Sequence, residues 1–499
     1  MTSSTNQVLL KMPVQPAFRI GLTPASLKRC VIGFGIALVS VVGLAQQKAG
    51  EVTHLQGMAT AQQPGGAYRF LDRGDAVLEG DVLSTTEKGF AVVSLADGSK
   101  FTLRPSTTFA LDRFAHNQGT EATFMRLLKG GMRMVSGLVG KRNPTGVELK
   151  ISTATIGIRG TSFDARICGE DCRQENQAAG AVAAETAAAA AAASAAQVVG
   201  RVVQSTGDVA ATQPGKPTRQ LGVGAALYEG DDVRTGVSGV AVIGFRDQTK
   251  VSVNPQSVLR IDTYVYNRPQ TGDSMALSLL KGGLRVFTGL IGKKASTAFA
   301  VKTRTSTIGI RGTGMDISCE GPCVDQSLGE PDNAAAEPAD PKQPDGLFML
   351  TWEGGSYFVV GPLEVPLNQA GFVGRAANAR LLASVPDFFS NFGSPRPDQV
   401  DIDWEDLFGS VFPSGADGTY VFVRDGDVFM LSRSSRKNLG AREGGYIGPN
   451  GVAQILSPVP GFLVGDPYPI PELFSGSDKQ IFQMFGVTLG QPGQEICRL

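Results

Sequence analysis

The sequence predicts an all-β protein built from tandem repeated units, and three observations carry that prediction. Glycine is abundant, 63 of 499 residues, against a usual share of about 7%, and Val, Thr and Ile are spread between the glycines. The heptapeptide Thr-Ile-Gly-Ile-Arg-Gly-Thr occurs twice, at Thr155–Thr161 and Thr307–Thr313. Around both copies the apolar residues alternate with period two rather than recurring at helical spacing. A chain of this length exceeds one hydrophobic core and predicts several domains. Lys+Arg 46 balances Asp+Glu 46, which argues against nucleic acid as the main partner. Hydrophobic residues at 42% are too few for a multi-pass membrane protein.

Residues 1–45 have the layout of a signal peptide. Arg19, Lys28 and Arg29 precede the uncharged apolar run Val31–Ala45, and Gly43-x-Ala45 supplies small residues for cleavage near Gln46. The run is shorter than the roughly 20 residues of a spanning helix; a retained inner-membrane anchor facing the periplasm is the alternative. Cys30 follows Lys28-Arg29 rather than an apolar lipobox, so lipidation is not expected. The protein is expected to be periplasmic or extracellular.

Residues 50–172 and 199–323 are two copies of one unit. The stretch from Gly50 recurs at Gly200 and that from Leu78 at Tyr228, each 150 residues on; that from Leu127 recurs at Leu279, 152 residues on. A two-residue insertion near Asn267–Thr271 accounts for the difference and suits a hairpin loop. Within the first copy, strands Phe90–Leu95 and Lys100–Arg104 flank Asp97-Gly98, a strong hairpin signal. The second copy has Asp247-Gln248 there, which predicts a less specialised turn. Ten or so short strands are expected per copy.

The heptapeptide reads first as a backbone device. Ile156 and Ile158 share one face, whereas Phe163, Ala165 and Ile167 fall on the opposite parity; Ile308 and Ile310, then Met315 and Ile317, do the same. A strand that keeps one face buried needs a bulge or corner for that switch. Gly160 and Gly312 sit where the extra residue requires an unusual φ, and Gly80 and Gly230 mark the equivalent Glu-Gly-Asp turns. The second reading gives Arg159 and Arg311 a binding role, holding an anion or pairing with a carboxylate such as Asp81 or Asp231.

Each copy ends in a short cysteine loop, Cys168–Cys172 and Cys319–Cys323. Export favours a disulfide within each loop, closing a hairpin tip. One zinc site built from all four is the competing reading, and a redox pair is disfavoured because the spacing is not Cys-x-x-Cys. Cys497 is left over, either free or linked to another chain.

An alanine-rich linker covers 173–198 and suits a semi-rigid spacer; a Pro/Ala/acidic linker covers 324–345. A weaker repeat follows, with β-hairpin unit 1 at 346–391 and unit 2 at 417–470; Gln369 and Glu443 stand 74 residues apart in it. Such units are small for independent cores, so one is expected to dock on each larger repeat. The connector 392–416 carries Asp401, Asp403 and Glu405 on one strand face; an exposed acidic connector is expected rather than a calcium site, because the Gly and distal Glu of a calcium loop are absent. The tail is 471–499.

These residues resemble the FecR domain of bacterial envelope proteins. The resemblance rests, in order, on Gly50-Glu51-Val52, Gly80-Asp81-Val82, Asp97-Gly98-Ser99, Leu128–Gly131 and Ile158–Phe163. The second copy supplies Gly200–Val202, Gly230–Val233, Asp247–Thr249, Leu280–Gly283 and Ile310–Met315. It implies an all-β unit with solenoid- or sandwich-like stacking, and exported proteins of this kind often add a cysteine loop and a hairpin like Gly418–Gly426. The family's namesake relays an outer-membrane iron-siderophore signal to a cytoplasmic sigma factor. That role needs a cytoplasmic anti-sigma segment, for which the residues ahead of Val31 are too few.

Catalysis is not expected. The two histidines, His54 and His116, lie at non-equivalent places in the first copy, and no catalytic triad, metal set or phosphate loop appears. No cofactor or metal is expected. The leading expectation is a non-catalytic periplasmic or secreted β protein acting as an envelope binding or scaffold module, with an envelope protein or polysaccharide as partner and an oligomeric state the sequence does not specify. The alternative is an envelope signalling component of the FecR type, working with a sensor or receptor through a retained anchor.

Overall fold

The computed structural model describes residues 47–471 apart from 118, 120, 144, 176–196, 267–271, 329–345, 368, 375–378, 411–414 and 470. The expected signal segment, most of both linkers, the insertion site at Asn267–Thr271, and the tail with Cys497 lie outside the described residues.

The chain is all-β. In repeat 1 the strands from Lys48–Gln56 to Ala154–Cys168 hydrogen-bond into one continuous sheet whose path begins at Tyr68–Leu71 and ends at Ala76–Leu78. Those two terminal strands are consecutive in sequence, so the sheet rolls back on itself. The roll is pinned where Gly74 N donates to Val52 O at 2.8 Å and Val52 N to Asp75 O at 2.9 Å. Repeat 2 closes identically, through Gly224 N to Val202 O at 2.8 Å and Val202 N to Ala225 O at 3.1 Å. Each roll encloses its own apolar core, with Phe101, Phe109, Phe163 and Ile158 in the first and Phe245, Val286, Ile310 and Met315 in the second. All these side chains have negligible exposure, which is where the hydrophobic stabilisation of each roll resides.

A long strand from the C-terminal third completes each sheet. Gly346–Val360 pairs antiparallel with Thr307–Glu320 of repeat 2, and Gly418–Leu431 pairs with Ala154–Cys168 of repeat 1. The chain thus crosses to repeat 2, adds that repeat's strand, and returns to repeat 1. The connector travels with it and is not an exposed strand. Val400 and Ile402 are buried against Val242 of repeat 2, and Trp404–Phe408 is a short helix capped by Asp403, whose Oδ1 accepts from Asp406 N at 2.9 Å. Alternation explains the correction: Val400 and Ile402 face the protein while Asp401, Asp403 and Glu405 stay exposed.

The second-copy hairpin also differs from expectation. Gln248 adopts φ +69, the left-handed conformation that Gly98 adopts at +82. The turn is held by its surroundings: the Asp247 carboxylate accepts from Thr249 N at 3.2 Å, Thr249 Oγ1 at 2.7 Å and Ile291 N at 3.3 Å, while Asp247 N donates to Tyr264 Oη at 2.8 Å. A non-glycine residue in this region costs on the order of 1 kcal/mol. Gln248→Gly is therefore expected to raise stability by up to about 1 kcal/mol, read as a shift of the urea midpoint.

Candidate functional site

The residues common to both repeats build backbone. Asp81 and Asp231 are fully buried at the Glu-Gly-Asp turns, beside Gly80 and Gly230, both at φ +85. Asp81 accepts from Leu78 N at 2.8 Å and pairs with Arg69; Asp231 accepts from Tyr228 N at 2.9 Å and pairs with Arg219 at 2.6 Å. These aspartates therefore have partners on their own edge strands, not the heptapeptide arginines. The Asp97 carboxylate likewise ties its hairpin to the following helix, accepting from Ser99 N at 2.9 Å and Val139 N at 3.3 Å.

The heptapeptide is a pair of facing bulges. Against Gly418–Leu431, the register shifts once between Arg159 and Ser162 and again between Ser162 and Phe163. Repeat 2 shows the same shifts between Arg311 and Gly314 and between Gly314 and Met315. One extra residue on the heptapeptide strand is matched by one on the hairpin strand, Arg424 or Trp352, and pairing resumes with the apolar face restored. Gly312 lies at φ +68, and Gly426 and Gly354 opposite lie at +82 and +70. Gly160 occupies the corresponding register shift in repeat 1. The glycine between the isoleucines has a separate cause. A Cβ on Gly157 would lie 1.8 Å from the Phe429 ring, and one on Gly309 2.1 Å from Tyr357; an aromatic from the hairpin lies across the bare backbone in each copy.

Arg159 is exposed, with its guanidinium 5.9 Å from the Phe429 ring centre, a ring also approached by Arg436 at 4.9 Å. The side chain of Arg311 lies outside the described part of the structure. The cysteines pair within each loop, Cys168 with Cys172 and Cys319 with Cys323, at Cα separations of 5.4 and 5.2 Å. Each bond pins the end of a repeat's last strand to the first turn of the helical residues that follow, rather than to a hairpin tip.

Beyond the bulge, each last strand is buried on its polar face too. In repeat 1, Asp164 receives Arg133 Nε at 3.0 Å and Arg424 Nη2 at 2.7 Å, and the end of unit 2 covers them, with Arg133 Nη2 donating to Asp466 O at 3.1 Å. In repeat 2, Asp316 receives Arg285 at 3.1 Å and Trp352 Nε1 at 3.0 Å, while Arg396 stacks 3.8 Å from the Trp352 ring centre. The two bulge residues, Arg424 and Trp352, thus do the same task with different chemistry. Trp352 needs Gly314 beneath it, since a Cβ there would lie 2.1 Å from the indole; repeat 1 has Ser162 under Arg424. Burial pushes the Asp316 carboxyl up against the opposing pull of Arg285, and burial followed by Arg166 brings Arg104 down to about 10.

A third polar cluster joins the repeats. Arg201 of repeat 2, 1% exposed, pairs with Glu443 of unit 2 and donates to Gly224 O at 2.6 Å. Arg246 reaches the same carboxylate at 3.0 Å and lies 4.8 Å from the Phe408 ring centre. Tyr228 Oη donates to Asp427 at 3.2 Å and accepts from Ala441 N at 3.0 Å. Among the described residues this set exists only at the internal junction. Glu51 and Ala96, the repeat 1 counterparts of Arg201 and Arg246, are exposed, as is Gln369, the counterpart of Glu443.

Burial pushes Asp427 above the usual carboxylate range, with Arg219 opposing. Its folded value exceeds its unfolded one, so its stabilising contribution is full in acid and is lost as pH rises through the folded value. Asp427→Asn, which keeps an acceptor for Tyr228 and cannot ionise, is therefore expected to melt above wild type at neutral pH. The gap should close as pH is lowered to about 4; thermal melts across that range check it.

None of these clusters presents a nucleophile and base to an open cleft, and among the described residues no group of His, Cys, Asp and Glu is placed to hold a metal. Sequence reasoning missed Arg133, Asp164, Arg201 and Glu443. The available signal was an arginine inside an apolar strand at the same place in both copies, Met132-Arg133-Met134 and Leu284-Arg285-Val286.

Fold and framework together define a duplicated all-β module whose copies are each completed by a strand from the C-terminal third. The family model of the FecR protein matches residues 81–184 and 231–325, one stretch in each repeat, and the chain carries two FecR domains in tandem. No curated protein sequence matches it. A crystal structure described as a "putative anti-sigma factor" from Parabacteroides distasonis is similar at 14% identity, covering 30% of this chain and 57% of that one, with a TM-score of 0.21. A likeness that slight carries no argument here. No helix among the described residues is long and apolar enough to cross a membrane.

Proposed function

We propose that the protein is a non-catalytic binding or scaffold module of the bacterial envelope, exported through residues 1–45 and acting in the periplasm or outside the cell. The observation that carries this reading is the junction. Arg201, Glu443 and Arg246 are taken out of water between the two repeats, at a desolvation cost that fits a role in which the relative placement of two β surfaces matters. Its buried polar groups serve structure, which leaves the exposed sheet faces for recognition. In this reading Arg159 lies by the Phe429 ring rather than seizing a ligand, and Arg311 is given no ligand either.

The test is capture from envelope extracts on the immobilised full chain. Recovery of one protein or polymer above background is expected; recovery of none contradicts the proposal. A second reading, a signalling component working with a sensor or receptor, is favoured by the FecR match and requires that the N-terminal segment stay attached. N-terminal sequencing of the mature protein separates the two, because a start near Gln46 removes the anchor that signalling needs.

A further inference from the structure

The two repeats share a framework but differ sharply on one outward sheet face. In repeat 1 the edge strand Tyr68–Leu71 presents Tyr68 at 69% exposure and Phe70 at 76%, side by side on the same face. The strand does not need them. In repeat 2 the equivalent exposed positions are Thr218 and Gln220, and the central arginine is held the same way, Arg69 by Asp81 and Arg219 by Asp231. Two large rings retained in water, where the same fold accepts polar residues, mark a contact surface.

The neighbours of these rings identify the chemistry. Phe70 stands in register with Thr60, Thr60 with Ser84, and Ser84 with Thr108, so a hydroxyl row runs across the sheet from that ring. Tyr68 stands in register with Gln62. Beyond the row, the exposed Lys129 stands in register with Thr108, while Arg126 and Asp112 neutralise each other through a two-point pair at 2.6 and 2.7 Å. In repeat 2 the matching face is ionic instead, with Asp232 held by Arg260 at 2.6 and 3.0 Å and by Arg234 at 3.8 Å. We propose that this face of repeat 1 binds a neutral polysaccharide, sugar rings stacking on Tyr68 and Phe70 while hydroxyls bond along the Thr60–Ser84–Thr108 row. Uncharged rings beside uncharged hydroxyl and amide groups match a polymer that offers C–H faces and hydroxyls by turns. A protein partner would call for a larger continuous apolar centre than two rings, and an acidic polymer for more cations than Lys129 at the far end of the row.

This inference rests on the binding-module reading and names its ligand class. The test is cosedimentation of the full-length protein with amorphous cellulose and with granular starch as neutral probes. Wild type is expected to sediment with at least one. Tyr68→Ala/Phe70→Ala is expected to bind that probe roughly tenfold more weakly, with an unchanged melting temperature, and Thr218→Ala/Gln220→Ala to bind as wild type does. Retention of binding by the Tyr68/Phe70 variant assigns the polymer to another face and overturns the proposal. Binding of neither glucan by wild type also overturns it, while capture of an envelope component would still leave the broader reading standing. Self-association of wild type that the same variant abolishes would give the face to a second copy of the chain and equally overturn it.

Discussion

Glu443→Gln is expected to cost about 3–5 kcal/mol of stability, the usual penalty for stripping one partner from a buried ion pair. The magnitude follows from what stays behind. Glutamine has one oxygen where two now accept, so Arg201, 1% exposed, and Arg246 both lose the charge they share, and either Arg246 or the pair Arg201 and Gly440 N, the latter now donating at 3.0 Å, is left facing an NH2 group. Guanidinium unfolding followed by tryptophan fluorescence reads the loss, since Trp404 packs in the apolar cluster at the same junction. The control is Glu51→Gln. That carboxylate pairs with Lys48 at 3.1 Å on the open surface, where such pairs contribute little, and the midpoint should not move. A Glu443→Gln variant as stable as wild type would show that the junction does not hold the repeats together.

Gly157→Val is expected to destabilise the chain by about 3 kcal/mol, the upper part of the range for overpacking. The closest crowding comes from one side chain: the three nearest atoms to an added Cβ all belong to the Phe429 ring, at 1.8, 2.2 and 2.4 Å. That geometry gives the prediction a second arm. Shortening the ring in Gly157→Val/Phe429→Ala should recover much of the loss, so the two substitutions combine far from additively. Additive losses would mean that the glycine is required by backbone conformation, and that the ring lying across it is incidental.

Much of this fold was legible because duplication doubles every signal. The parity switch between Ile158 and Phe163 required a bulge, and a bulge stands there; Asp97-Gly98 required a hairpin, and the strands end at Leu95 and resume at Lys100. Reading failed where tertiary context outweighs local preference. Gln248 has no intrinsic reason to adopt φ +69; the buried Asp247 carboxylate imposes it. The connector was misread because its acids are as exposed as expected while the alternate residues find an apolar partner in Val242, more than 150 positions away in sequence. The sites were less legible than the fold for the same reason. Arg201 resembles any surface arginine on an alternating strand until the chain brings Glu443 back over it, and Tyr68 and Phe70 resemble core residues until the sheet places them on its outer face.

The central claim is that residues common to the two repeats build the framework, and that recognition lies where the repeats differ. The measurement that tests it most directly is capture of envelope material by the Arg159→Ala/Arg311→Ala double variant, compared with wild type alongside a thermal melt of each. The account predicts that the variant captures what wild type captures, with the same affinity and at most a small drop in melting temperature. Loss of capture by a variant that melts as wild type does would contradict it, and would make the repeated heptapeptide a binding site in its own right.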